Sequence, residues 1–338
     1  MLIKRTTRLV FTIGVLFGLL FSAAVQAQDP GWEQFKSRFL KSDGRIVDSG
    51  NHDVSHTEGQ GFGMLLAVFN DDKPTFDELL GWTNRTLYNE DTGLFSWRYE
   101  PNAKVKVADK NNATDGDLLI AWALLLAGDK WKNNDYIAQS NQIQSAIIKH
   151  TVISFAGYHI MLPGANSFNH TSYVVVNPSY YIFPAWQAFY QYSHLKIWQD
   201  LNNDAIKQLS AMKLGKVNLP TDWVALQSDG SFAPANGWPA RFSFDAIRIP
   251  LYLSWGANNN SALAPFIRYW QGFARLTTPA WVNVVTGATA EYPLTPGMLA
   301  IRDLTFGNLG QLTTTLLPEE DYYSSCLRLL SWWAAKQQ

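Results

Sequence analysis

"ATDGDLLIAWALLLAGDKW", residues 113–131, opens on two carboxylates and runs straight into an apolar stretch. Leu118, Ala121, Trp122 and Leu125 recur at helical spacing, and most positions between them are apolar too. A surface helix needs a polar face; one without it is surrounded by other protein. Gly128 supplies a stop signal, and Asn133-Asn134 can open the next helix. The segment predicts a buried inner helix with an acidic mouth.

Outward from this segment the chain reads as helical almost throughout. The pattern predicts helices at about 31–40, 58–71, 73–88, 115–128, 133–150, 177–193, 195–213, 243–255, 259–274, 294–305, 307–316 and 319–336, with Pro178 in a first turn. Short strands fit 94–99, 105–108 and 153–161, in the loops between. After residue 30 there is no linker, low-complexity tract or charge block, so residues 28–338 read as one domain. Twelve helices in one domain point to an all-α toroid of helical hairpins, with an inner and an outer ring. A layered α-solenoid is the competing architecture.

Residues 1–27 are set aside as a secretory signal. Lys4, Arg5 and Arg8 precede an apolar run from Leu9 to about Phe21, and small residues lead to a cleavage site after Ala27. That run is shorter than the roughly 20 residues a spanning helix needs, so the mature chain is read as secreted or periplasmic with no membrane segment. The whole chain carries a net charge of −1; without the signal's three cations it is near −4. Such a balance argues against nucleic acid, which demands a basic face. Cys326 is the single cysteine, so neither an intramolecular disulfide nor a paired-cysteine zinc site can form. Aromatic residues make up 14% of the chain, with 14 Trp. Trp fills either a core or a binding surface. On an exported, nearly neutral protein, that density points to sugar rings, with about two thirds of the Trp left for the core.

Two further segments share the acidic-mouth design. "SHTEGQGFGMLL", 55–66, carries Glu58; "RFSFDAIRIPLYLSW", 241–255, carries Asp245 and Arg248. Helix N-termini favour an acid by about 0.3–1 kcal/mol, so capping explains any one of them. Three together, in a ring whose inner N-termini can converge, suggest a shared pocket. Asp245 and Arg248 are three apart and share a helical face, where the Arg can orient the carboxylate and hold it ionised. Asp115 precedes Gly116, which leaves space beside it; Asp117 reads as the capping member of that pair. Gly59, Gly61 and Gly63 are poor helix formers, and they fit close approach by substrate or neighbouring helices. Gly-Gln-Gly-Phe-Gly does not match a dinucleotide fingerprint. His52 and His56 flank Asp53 without a third ligand, and the His-x-Glu of the zinc deaminases lacks its cysteines here. No Gly-x-Ser-x-Gly elbow is present. Neither metal nor cofactor is expected.

"ATDGDLLIAWALLLAGDKW" resembles the signature segment of glycoside hydrolase family 8. "TEGQGFGM" resembles the segment holding that family's general acid, and "SFDAIRIPLY" the one holding its general base. "NPSYY", 177–181, and "EDYYSSCLRLLSWW", 320–333, match further family segments. The likeness runs from "WEQFKSRFL" to the C-terminus and is strongest toward bacterial endoglucanases associated with cellulose synthesis complexes. The resemblance implies an (α/α)6 barrel and inverting hydrolysis of β-1,4-glucosidic bonds. It implies Glu58 as acid and Asp245 as base, about 6.5–9.5 Å apart to admit a water. Glu58 would keep its proton through burial or a neighbouring negative charge such as Asp115. Arg248 would keep Asp245 ionised, and Asp115 would grip and distort the sugar at the cleavage point. Tyr180 would place a hydroxyl near the water or the same sugar. Trp97, in the loop "GLFSWRYEP", and then Trp223 and Trp238 are the candidate stacking platforms; Trp332 and Trp333 fit the core. The substrate is a β-glucan, and a cellulose synthase or export complex is a candidate partner. Xylanase, mixed-linkage glucanase, chitosanase and a non-catalytic glucan-binding protein of an export apparatus are the alternatives. The last would need the aromatics but not the three acids.

Overall fold

The structure, a computed structural model, describes residues 29–257 and 260–337; the signal expected at 1–27 lies outside them. Eleven α-helices lie among the described residues: α1 (Pro30–Phe39), α2 (Thr57–Phe69), α3 (Lys73–Leu87), α4 (Thr114–Trp131), α5 (Asn134–Thr151), α6 (Phe183–Ser193), α7 (Lys196–Ala211), α8 (Arg248–Tyr252), α9 (Asn260–Gln271), α10 (Pro296–Thr305) and α11 (Tyr322–Lys336). A π-helical turn, Leu253–Ala257, extends α8. Among the described residues, no helix is long and apolar enough to cross a membrane.

The helices close a ring. α2 packs on α4, α4 on α6, α6 on the turn after α8, α8 on α10, α10 on α11, and α11 returns to α2. These six form the inner layer. α4 shows why: from Thr114 to Leu125 it is buried on every side, as its apolar sequence requires. α3, α5 and α7 are amphipathic and lie outside, packed against α2, α4 and α6 in turn. One apolar core runs through both layers. Seven Trp are buried in it and Trp131, Trp332 and Trp333 pack on its edge, which leaves only four for other work.

Three expectations need correction. The helix expected at 307–316 is absent; only a 3-10 turn, Leu309–Gln311, forms there. Gly307 at φ +71°, Gly310 and three consecutive Thr make that stretch a poor helix former. It runs instead along α1, where the Gln34 side chain accepts the Leu316 amide and Arg38 donates to the Leu317 carbonyl. The helix expected at 177–193 is split into a 3-10 turn, Pro178–Tyr180, and α6, because Pro184 is tolerated only in a first turn. The helix expected from 243 begins at Arg248, so Asp245 lies in the turn before it.

The strands are short antiparallel pairs. Val152–Phe155 and Tyr158–Met161 form the expected hairpin, turning at Ala156 and Gly157 with φ of 47° and 82°. Tyr88–Asn89 pairs with Leu94–Phe95, and Ser55–His56 with Arg98–Tyr99, whereas 105–108 forms no strand. A sheet not expected from the sequence joins Tyr173–Val176, Val224–Gln227 and Phe232–Pro234.

Two glycines set the spacing of α2 and α4. A Cβ on Gly61 would lie 2.5 Å from Leu119 Cβ, and one on Gly116 would lie 2.1 Å from Thr57 Oγ1. The helices cross with backbones almost touching, which brings the start of one beside the start of the other. Gly61→Ala should therefore destabilise the protein by about 1–3 kcal/mol through overpacking, read from denaturant unfolding. An unchanged midpoint would show that the two helices can part freely.

Candidate active site

The starts of α2 and α4, the turn before α8, the 3-10 turn after strand 173–176 and the start of α11 meet at one end of the ring. Arg248 sits at their centre with its side chain 3% exposed. Its Nη1 lies 2.8 Å from Glu58 Oε2; its Nη2 lies 3.4 Å from Asp115 Oδ2 and 3.4 Å from Asp245 Oδ1. The two Nη atoms are about 2.3 Å apart in the rigid guanidinium fork, so the contacting oxygens of Glu58 and Asp245 can be no more than about 8.5 Å apart. Three acids spread over almost two hundred residues are thus gathered by one cation. None acts as an N-cap: α2, α4 and α8 have no side-chain cap, while α1, α3, α5, α10 and α11 do.

Arg248 was expected to serve Asp245 alone. Its shortest ion pair is with Glu58, because an arginine at the first position of α8 reaches across the ring as well as back along its own turn. Its remaining donors are used as well. Nη1 donates to Tyr323 Oη at 2.9 Å, and Nη2 to Ser179 Oγ at 2.9 Å. Ser179 in turn donates to Asn177 Oδ1 at 2.7 Å, and Asn177 Nδ2 donates to Asp245 Oδ2 at 3.2 Å. The Tyr323 hydroxyl donates in turn to the Phe244 carbonyl at 2.5 Å. Asn177 and Ser179 belong to "NPSYY", where the sequence reading singled out only Tyr180. Tyr323 lies in the matched C-terminal segment. Their alternation of polar and aromatic residues was the available signal.

Charge crowding governs protonation here. Burial, then the negative charge of Glu58, push Asp115 well above the usual carboxylate range, and Arg248 pulls it back only in part. Burial also raises Asp245, although 32% of its side chain still meets solvent and screens the effect; Arg248, Asn177 and the Trp223 indole N–H oppose the rise. Burial, then the charges of Asp115 and Asp245, raise the Tyr180 hydroxyl, which places that hydroxyl in the field of both acids. The exposures are graded: Asp115 5%, Glu58 15%, Asp245 32%. Asp245 is therefore the most open of the three to water.

Asp117 is not a cap. It accepts the Phe95 amide at 3.0 Å and Asn112 Nδ2 at 2.7 Å, which fastens strand 94–95 to α4, and burial pushes it up to about 7. Trp97 is half-buried; its carbonyl accepts the Thr57 amide at 3.0 Å, next to Glu58, and its Nε1 donates to Asp109 at 2.8 Å. Trp223 lies nearly parallel to Phe168, 5.6 Å away, and to Trp238, 4.9 Å away, within a stack of protein rings. The open end of this stack is Trp238, 38% exposed.

Comparison with known proteins agrees with this geometry. The sequence profile of Glycosyl hydrolases family 8 matches residues 6–337. The "Endoglucanase" of Cellulomonas uda is 52% identical over 276 residues, covering 82% of this chain and 77% of that protein. The "Probable endoglucanase" of Novacetimonas hansenii is 38% identical over 326 residues, covering 95% and 94%. The crystal structure of endoglucanase Cel10 from Klebsiella pneumoniae superposes with a TM-score of 0.90 at 50% identity, covering 92% of this chain and all of that one. A helical toroid with paired acids at its mouth defines a glycoside hydrolase. The chain belongs to glycosyl hydrolase family 8.

Removing the central cation should be costly. Arg248→Met leaves one buried and two part-buried carboxyls without their partner, and stability should fall by about 3–5 kcal/mol at neutral pH. Asp115 and Asp245 titrate above their unfolded values, so the folded chain binds more protons than the unfolded one. The cluster's contribution to stability is full at acid pH and is lost as pH rises. The deficit of the variant should accordingly be larger at pH 8 than at pH 5, by thermal unfolding; an equal deficit at both would contradict the charge-crowding account.

Proposed function

We propose that the protein is an endo-acting cellulase that hydrolyses β-1,4-glucosidic bonds in cellulose or soluble cellulose derivatives with inversion at the anomeric carbon. The observation that carries this reading is the Arg248 cluster, which holds Glu58 and Asp245 no more than about 8.5 Å apart, close enough to flank one glycosidic bond. Membership of the family and likeness over most of the chain to proteins called endoglucanases support the substrate class.

In this mechanism Glu58 protonates the leaving glycosidic oxygen. Asp245, the most exposed of the three, takes a proton from a water on the opposite side of the sugar. Arg248 orients both carboxyls through one rigid group. Three acids facing one guanidinium in a low-dielectric pocket repel one another, and Asp115, the most buried of them, holds its proton well above the usual carboxylate range. Asp115 grips the ring at the cleavage point, and the Tyr180 hydroxyl contacts the water or the same sugar. Trp97 beside the acid and Trp238 at the end of the Trp223 stack offer surfaces for neighbouring glucose units. We place the enzyme outside the cytoplasm, on the strength of the leader-like residues 1–27, where it would meet nascent or foreign glucan. A cellulose synthase or export complex would be its partner in the first case.

Glu58→Gln and Asp245→Asn should each lower kcat on carboxymethylcellulose by about 10²–10⁴ while the fold is kept. A Glu58→Gln protein with wild-type turnover would remove the acid assignment. Proton NMR of early products should show the α-anomer; the β-anomer would remove the water-activating role of Asp245. Reducing-sugar release should be greatest on soluble cellulose among cellulose, mixed-linkage glucan, xylan and chitosan.

A further inference from the structure

Asp222 has a role that the mechanism above does not use. It precedes Trp223 at the entry to strand 224–227, directly behind the turn that carries Asp245. Its Oδ1 accepts the Ser243 amide at 3.0 Å and the Ala246 amide at 2.8 Å. Those two amides flank Phe244 and Asp245. Its own amide donates to the Arg241 carbonyl at 2.8 Å, which fixes Asp222 to the strand before the turn. One carboxylate oxygen thus closes the 243–246 turn from behind, while Asn177 and Trp223 hold the Asp245 carboxyl from in front.

We propose that Asp222 is the positioning residue of the base: it fixes the Asp245 turn through two backbone amides and sets a second carboxyl group behind the Asp245 carboxylate. The proposal rests on Asp245 acting as the base. Closing the turn does not require a charge; an asparagine or serine oxygen accepts two amides equally well. A carboxylate is the costly choice there. Burial, and then the charge of Asp245, push Asp222 up to about 7, against the opposing pull of the two amides and Arg248. Arg241, the other cation at that edge, lies over the Trp281 ring at 3.7 Å. Repulsion between two charges is mutual, so the pair keeps one proton, on Asp222, up to about 7. Once Asp222 ionises, its charge raises the proton affinity of Asp245, and a base with higher proton affinity takes the proton of the attacking water more readily.

The test compares Asp222→Asn, which keeps the acceptor and removes the charge, with Asp222→Ala, which removes both; Asp222→Ser replaces the first should it not fold. Each is assayed on carboxymethylcellulose for kcat, KM and the pH profile of kcat/KM, beside Asp245→Asn. At pH 8, where Asp222 is ionised, Asp222→Asn should lower kcat by about tenfold with KM within about twofold. Its acid limb should stay within about half a pH unit of the wild type, because Asp222 already holds its proton there, and the deficit should shrink toward pH 5. Asp222→Ala should lose more activity than Asp222→Asn. A readout independent of catalysis follows from the raised proton affinity of Asp222. Asp222 holds its proton in the folded chain up to about 7 against 3.8 ordinarily, so its contribution to stability is lost as pH rises through 7. Asp222→Asn should escape that part of the loss, and its melting temperature should gain on the wild type between pH 5 and 8. Should Asp222→Asn match the wild type in kcat at pH 8 and in melting profile while Asp245→Asn is inactive, the positioning proposal alone falls. Should Asp245→Asn keep wild-type turnover, the base reading falls and takes the proposal with it.

Discussion

The structure depends on a single buried guanidinium. Arg248 is 3% exposed, and desolvating it would be prohibitive without partners. It has three acids and two hydroxyls, drawn from three helices, the turn before α8 and one 3-10 turn. Asp115, Asp245, Ser179 and Tyr323 are each held by a further bond, through Gly116, Asn177 or Phe244. Because the guanidinium is planar and rigid, it sets the separation of the carboxyls as well as their charge. A lysine could neutralise one acid but could not hold two at a fixed span.

The ring exists to deliver those groups. Inner helices buried on all sides supply a floor that does not move, and the close crossing of α2 and α4 at Gly61 and Gly116 brings the starts of both helices together. The glycines after Glu58 therefore serve packing between helices. The three-stranded sheet does the corresponding work for the other half of the site: strand 173–176 leads into Asn177, and strand 224–227 follows Asp222 and Trp223. One carboxyl pair is thus set by helices on one side and by strands and turns on the other.

The parts legible in the sequence were those where local pattern and long-range need coincide. Apolar periodicity without a polar face marked α4 as an inner helix, and an acid at the mouth of three such segments marked the site. What escaped was set by contacts far apart in the chain. The sheet could not be read because strand 173–176 lies beside a helix-like "NPSYYIFPAW", and its partner at 224–227 is some fifty residues away. The stretch 307–316 has leucines at roughly helical spacing, yet glycine and threonine outweigh them. Arg248 was read along its own helix, since spacing reveals neighbours three or four apart and says nothing of Glu58 across the ring. Trp223 was legible as special, but its stacking on Phe168 and Trp238, far off in the chain, was not.

The central claim is that Glu58 and Asp245 stand on opposite sides of one glycosidic bond. A crystal structure of the Glu58→Gln protein with a cello-oligosaccharide tests it most directly. The account predicts an oligosaccharide spanning the cleft, with its linking oxygen in hydrogen-bond reach of residue 58 and an ordered water between Asp245 and the anomeric carbon. A chain bound with both acids on the same side of that bond, or away from Arg248 altogether, would contradict it.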